Sequence, residues 1–240
     1  MKEIEVVLSM PLFHHRMVRK RSITVVIDIL RSTTSIIGAL DYGVKSIIPV
    51  SSHVEAEVMK ADGYILAAEE EGVKISFADY GISVDEFWKE ELIGKEIVFN
   101  TPNGTKAFRL TREETEQVLI GGFPNLSALT KYILKQNNNV LLVCAGSNNM
   151  PSLEDQIFAG ALAQKLMESG LYESNCDSLH SSIDVWNTAK KDIFQYIKKL
   201  SHRKKYPNVL SEKALQYTFT LDACSTIPVL HFNHITALKP

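Results

Sequence analysis

"VVIDILRSTTSIIGAL", Val25 to Leu40, is the stretch on which the fold reading turns. Its first half is a β-branched run that is apolar nearly throughout and ends at Asp28. A strand of that kind is covered on both faces, as in parallel or mixed α/β sheets. Arg31 and the hydroxyl residues Ser32, Thr33, Thr34 and Ser35 follow almost at once. Apolar residues then predict a helix over Thr34–Tyr42, which Gly43 can close. A strand that runs straight into a helix is half of a βαβ unit.

The same alternation continues outward. Strands are expected at Glu3–Leu8, Ile23–Ile29, Ser46–Val50, Tyr64–Ala68, Glu96–Asn100, Gln117–Gly121 and Asn139–Ala145. Helices are expected at His53–Ala61, Val84–Leu92, Lys106–Glu114, Asn125–Lys135 and Ser152–Ser169. In the last of these, Leu153, Ile157, Phe158, Ala161, Leu162 and Leu166 form a buried stripe; Ser152 is a good N-cap and Gly170 a stop. Asp177–His202 reads as a further helical segment and Thr226–Leu230 as a short strand. The fold class is therefore α/β, three layers (α/β/α) around a mostly parallel or mixed sheet. Residues 1–240 read as one large domain, or as two closely joined subdomains with a change of character near 150.

Composition narrows the classes. Hydrophobic residues make up 45% and charged residues 22% of 240, and the net charge is −2. Nothing there drives binding to nucleic acid or to an anionic membrane. The basic runs Arg16–Arg21 and Lys198–Lys205 read as solvated faces, with an anion patch as the sharper alternative. No apolar run reaches the ~18 residues of a membrane span, and the N-terminus carries no signal-peptide core. Cys144, Cys176 and Cys224 form neither a metal knuckle nor a disulfide framework, so a reducing cytoplasm is expected.

Chemistry is expected where strand ends meet helix starts, because α/β ligands sit there. At the first joint, helix N–H groups and Arg31 suit an anion such as phosphate, contacted also by Ser32, Thr33 and Thr34. Asp28 could hold a divalent cation against that anion. The plainer alternative has a threonine capping the helix and Asp28 paired with Arg31. A second joint, "NTPNGTKAF" from Asn100, offers Asn103, Gly104 and Thr105; Gly104 would let backbone approach a ligand, although Asn-Gly also fits a hairpin. At the third, "VCAGSNNMPSLEDQIFAG" from Val143, Gly146 permits close approach. There Glu154 and Asp155 are metal ligands or acid/base groups, or else simply complement the helix dipole. The fourth, "AAEEEGVKISFADYG" from Ala67, adds Glu69 as a further carboxylate for the cation. His14, His15, His231 and His234 lack metal-site spacing, and Cys144 reads as a core residue.

Taken together and in order, these segments resemble the ComB family, the 2-phosphosulfolactate phosphatases of coenzyme M biosynthesis. "VVIDILRSTTSIIGAL", "NTPNGTKAF", "GGFPNLSAL" from Gly121 and "VCAGSNNMPSLEDQIFAGAL" carry the likeness. The resemblance implies a Mg²⁺-dependent hydrolase that converts (2R)-phospho-3-sulfolactate to 3-sulfolactate and phosphate. It implies Asp28, Arg31, Thr33, Thr34, Asn103, Gly104, Thr105, Glu154 and Asp155 as site residues. Two positions depart from the family pattern: Glu70 stands where an arginine is implied, and Ile82 where an asparagine is. These departures raise two alternatives, a non-catalytic anion-binding relative and a phosphatase for another small phosphorylated acid. The expected partner is a small phosphorylated or sulfonated acid, with no nucleic acid and no membrane; a homo-oligomer is left open.

Overall fold

In the computed structural model, residues 1–18, 22–101, 104–112, 114–207 and 209–238 are described. Among them, eleven strands form one mixed sheet. They are β1 (Lys2–Val7), β2 (Ser22–Ile27), β3 (Ser46–Val50), β4 (Ile65–Glu70), β5 (Val73–Lys74), β6 (Glu96–Asn100), β7 (Gln117–Gly121), β8 (Asn139–Cys144), β9 (Tyr172–Glu173), β10 (Pro228–His231) and β11 (His234–Ala237). The α-helices are α1 (Ser32–Tyr42), α2 (His53–Ala61), α3 (Gly104–Arg112), α4 (Leu126–Lys135), α5 (Leu153–Glu168), α6 (Asp177–Ala189), α7 (Ile193–Tyr196), α8 (Ser201–Lys205) and α9 (Glu212–Phe219).

The strand order is β5-β4-β6-β3-β11-β10-β7-β2-β8-β1-β9. It contains two parallel blocks, β7-β2-β8-β1-β9 and β3-β6-β4. Three antiparallel contacts through the β10–β11 hairpin separate them, so the blocks run in opposite senses. In a flat sheet their carboxyl ends would face opposite ways. Instead Arg31, beyond β2, pairs with Glu69 in β4, and Gly104, beyond β6, lies against Ser32. The sheet is therefore strongly coiled, as accumulated strand twist allows.

Every residue of β2 is buried. Val25 and Ile27 join a core with Ile157, Phe158 and Leu162 of α5. Val26 faces the other way, into a core with Ile36, Ile37 and Leu40 of α1. This strict alternation between two apolar layers makes the three-layer fold and explains why β2 reads as a continuous apolar run.

The structure corrects several boundaries. β2 stops at Ile27, which leaves Asp28 just past the strand rather than inside it. Val84–Leu92 is not one helix but two 3₁₀ turns, Val84–Phe87 and Glu90–Leu92. Lys89 between them is extended, and this turns Val84, Phe87 and Leu92 all inward. Asp177–His202 breaks after Ala189, where Asp192 accepts the Gln195 amide and caps a new helix. The expected strand Thr226–Leu230 is β10, and its hairpin partner β11 was not foreseen. Gly43 (φ 114°) does close α1. Arg16 is buried rather than solvated: its guanidinium lies 4.0 Å from the Phe13 ring centroid and pairs with Glu114. The exposed Lys198, Lys199 and Lys204 fit the solvated reading.

Candidate active site

The first joint folds back on itself. The Thr33 amide donates to the Asp28 carbonyl (2.9 Å), and the Asp28 amide donates to Thr33 Oγ1 (3.1 Å). The backbone N–H groups of Ser32 and Arg31 lie close enough to the Asp28 carboxylate to favour its charged form. The amides expected to cradle a foreign anion thus already hold Asp28, which is what a helix N-terminus offers any carboxylate within reach. Thr34 Oγ1 donates to the Ile29 carbonyl (3.0 Å). Ser32 Oγ is buried without a hydrogen-bond partner.

Arg31 is buried and forms an ion pair with Glu69, not a simple pair with Asp28. The nitrogen that meets Glu69, Nη2, also donates to the Gly72 carbonyl (3.3 Å), Nη1 donates to the Val209 carbonyl (3.4 Å), and Nε is buried without a partner. One guanidinium therefore ties together the end of β2, the β4–β5 turn and the chain beyond α8. Burial lowers its pKa to about 10, against the fields of Asp28, Asp85 and Tyr206. It remains a cation at neutral pH.

The third joint delivers two carboxylates from the first turn of α5, and they differ. Asp155 is fully engaged: Oδ1 accepts the Ile29 amide (2.9 Å) and Oδ2 the Gly146 amide (3.1 Å). It thereby clamps the end of β2 to the end of β8. Glu154 is 4% exposed, and its Oε2 is buried without a hydrogen-bond partner. Burial pushes the Glu154 carboxyl up to about 7, helped by the charge of Asp28. Burial likewise pushes Asp28 up to about 6, opposed by the Ser32 amide and by Arg31. Asp155 is driven well above the carboxylate range by burial and then by Asp28 and Glu154. Three buried acids thus sit in one another's field, an arrangement that structure alone does not need.

Gly104 approaches this cluster closely. A Cβ there would collide with Ser32 and lie 3.1 Å from Asp28 Oδ2. Gly146 has φ +67°, and a Cβ would meet the Met150 carbonyl. Thr105 is elsewhere: its hydroxyl donates to the Thr101 carbonyl (2.5 Å), and it lines a different depression with Phe108 and Arg109. Asn103 lies outside the described residues. Ile82 is buried in the α1-side core, with its carbonyl accepting Ser35 Oγ (2.5 Å), so it does not face the acids.

A cavity of about 210 Å³ opens beside Glu154, Glu69 and Gly146. Its volume is below the ~300–1,000 Å³ of pockets for drug-sized ligands and suits a small acid. Its far wall is His202, Lys205 and Tyr206; the first two belong to the basic run Lys198–Lys205, for which an anion patch is the sharper alternative. No motif ties them to the acids; they lie some 170 residues beyond Asp28, in a segment legible as helical and basic. Two larger depressions, of about 540 and 520 Å³, flank the β10–β11 hairpin. Neither contains a buried acid, so we place the chemistry in the smaller cavity.

The carboxylates suit a hard cation in one way and not another. Glu154 Oε2 is an unpaired buried oxygen, and all three acids carry raised pKa values that a nearby cation would lower. Yet among the described residues no three His, Cys, Asp or Glu converge on one metal position. Mg²⁺ is commonly held by one or two carboxylates, with waters and substrate phosphate completing the shell. Asp28 and Glu154 fit that pattern; Asp155 accepts an amide at each of its two oxygens, and Glu69 is paired with Arg31. His14, His15, His231 and His234 are exposed and apart from the site. Burial, then Asp155 and Glu154, pushes the Cys144 thiol up, which is unfit for a thiolate nucleophile.

Fold and site together define an α/β protein that gathers acids and one arginine at converging strand ends. The model of the family described as 2-phosphosulpholactate phosphatase matches residues 9–233, and the chain belongs to that family. Its name denotes a phosphoric monoester hydrolase. A protein from Thermotoga maritima named probable 2-phosphosulfolactate phosphatase is 34% identical over 215 residues, covering 90% of this chain and 91% of its own length. One of the same name from Thermotoga petrophila is 36% identical, covering 90% and 91%. Another, from Caldanaerobacter subterraneus, is 33% identical, covering 88% of each. Among the described residues no helix is long and apolar enough to cross a membrane.

Proposed function

We propose that this chain hydrolyses 2-phosphosulfolactate to 3-sulfolactate and phosphate, the reaction type used in coenzyme M biosynthesis, and that it does so with Mg²⁺. The observation that carries the reading is the buried, unpartnered Glu154 oxygen within the field of Asp28, beside a cavity sized for a small acid. The family match supports the substrate.

Asp28 and Glu154 are the residues that would hold the cation. When bound, Mg²⁺ neutralises phosphate charge and lowers the pKa of water. Before binding, Glu154 carries its proton up to pH about 7 and Asp28 up to about 6, and both must release protons to become ligands. Asp155 holds the Ile29 and Gly146 amides in place and so fixes the floor between the two acids. Arg31 supplies a positive charge behind the phosphate position and braces the cavity mouth. The wall of α8 bounds the cavity opposite Glu154.

Phosphate release from phosphosulfolactate, measured with and without Mg²⁺, tests the reading; folded protein with no turnover from pH 5 to 9 would falsify it. A second reading, a non-catalytic anion-binding relative, is favoured by one feature: Arg31 and the α1 amides are already engaged by Glu69 and Asp28. Tight binding of 3-sulfolactate without any turnover would select that reading.

A further inference from the structure

The cavity beside Glu154 is lopsided in charge. Glu69, Glu70 and Glu71 line one side and Glu154 the floor. A substrate carrying phosphate, sulfonate and carboxylate would meet four acids there. Arg31 behind them is held by Glu69. The lysine on the cavity wall is Lys205, from α8.

His202 lies three residues before Lys205, so the two share one helix face. His202 Nδ1 is buried and has no hydrogen-bond partner, although its ring lines the cavity. A buried ring nitrogen left unpaired is unfavourable until a ligand supplies a partner. Tyr206 joins the two residues: its ring is 5.1 Å from that of His202, and the Lys205 ammonium lies 4.9 Å from the Tyr206 centroid. The segment is anchored to the acid cluster by the Arg31 hydrogen bond to the Val209 carbonyl.

We propose that His202 and Lys205 form the subsite for the acid groups of the substrate other than its phosphate. Lys205 supplies the charge that Glu70 does not, and His202 supplies a directed hydrogen bond to a sulfonate or carboxylate oxygen. Burial and the charges of Arg31 and Lys205 hold the imidazole pKa near 4, so at neutral pH the ring binds as an uncharged donor. This deepens the phosphatase reading and rests on it for the identity of the ligand.

Calorimetry with 3-sulfolactate, which lacks the phosphate, tests the subsite on the full chain. Lys205→Ala should weaken binding at least about tenfold, and Lys205→Arg should restore most of it. His202→Ala should weaken it about fivefold or more, and inorganic phosphate affinity should fall less in both variants. In turnover of phosphosulfolactate, the variants should raise KM more than they lower kcat. Lys205 is exposed, so Lys205→Ala remains informative even where His202→Ala fails to fold. Unchanged 3-sulfolactate affinity in Lys205→Ala, or no binding by the wild-type protein, overturns the subsite. Equal losses for sulfolactate and phosphate overturn it too, because they mark a general structural role. Binding that depends on Lys205 without turnover would remove the phosphatase reaction and leave the subsite standing.

Discussion

The first turn of α5 and its middle turn use buried space in opposite ways. At the start, Glu154 and Asp155 place charge inside the protein, and one oxygen goes unpaired. Two turns later, Gly160 lets α6 come so close that a Cβ would collide with the Ser182 carbonyl and lie 3.0 Å from Trp186 Cβ. The middle of the helix gains stability from contact. The start gives some up to hold acids where their protonation is easily shifted. One helix thus serves as core and as site, and the division runs along its length.

The largest test of that contrast is activity. Glu154→Gln and Asp28→Asn should each lower kcat/KM by at least about 100-fold in a phosphate-release assay, the scale of losing a positioned acid or base. The same Glu154→Gln change should stabilise the protein. The carboxyl is raised to about 7 when folded, against 4.5 ordinarily, so the folded state binds the extra proton between these values. Its contribution is fully favourable below pH about 4.5 and is lost as pH rises through 7. Urea unfolding without metal should therefore show Glu154→Gln more stable by on the order of 3 kcal/mol at pH 8, with the gain vanishing near pH 4.5. A gain that persists at low pH would break the assignment of the buried charge.

Gly160→Ala should do the reverse, costing about 2 kcal/mol at every pH with activity per folded molecule retained, because neighbouring backbone cannot yield to the new methyl. A smaller effect is expected on the pH profile. Activity should rise through pH 6–7 as Asp28 and Glu154 lose protons, and more Mg²⁺ should move that limb to lower pH. A limb insensitive to Mg²⁺ would separate these acids from the cation. Smallest of all, Thr105→Val should change KM less than about threefold, since its hydroxyl is spent on the Thr101 carbonyl.

Legibility followed how local each cause was. β3, β6, β7 and α2 lie where the sequence places them, because apolar runs and a Ser52 cap act over a few residues. Val84–Leu92 misled because its apolar spacing also fits two 3₁₀ turns, and burial of Phe87 chose between them. β11 escaped because "HITA" is short and gains its partners only through the hairpin. In the site, Asp28, Arg31, Glu154 and Asp155 were named from the joints alone. That Asp155 would be bonded at both oxygens and Glu154 left open could not be read from two adjacent acids on one turn. It depends on which amides of β2 and β8 come within reach.

By itself, the sequence determined the α/β alternation, the strand-to-helix joints and the acids and arginine placed at them, because period and turn chemistry are local. Only the tertiary structure decided which joints meet. Coiling of the sheet brought β4 to the end of β2 and paired Glu69 with Arg31. Folding of the C-terminal segment brought His202 and Lys205 to the cavity across more than 170 residues of chain. No local pattern encodes such a contact; it exists because two apolar layers had to close over one twisted sheet.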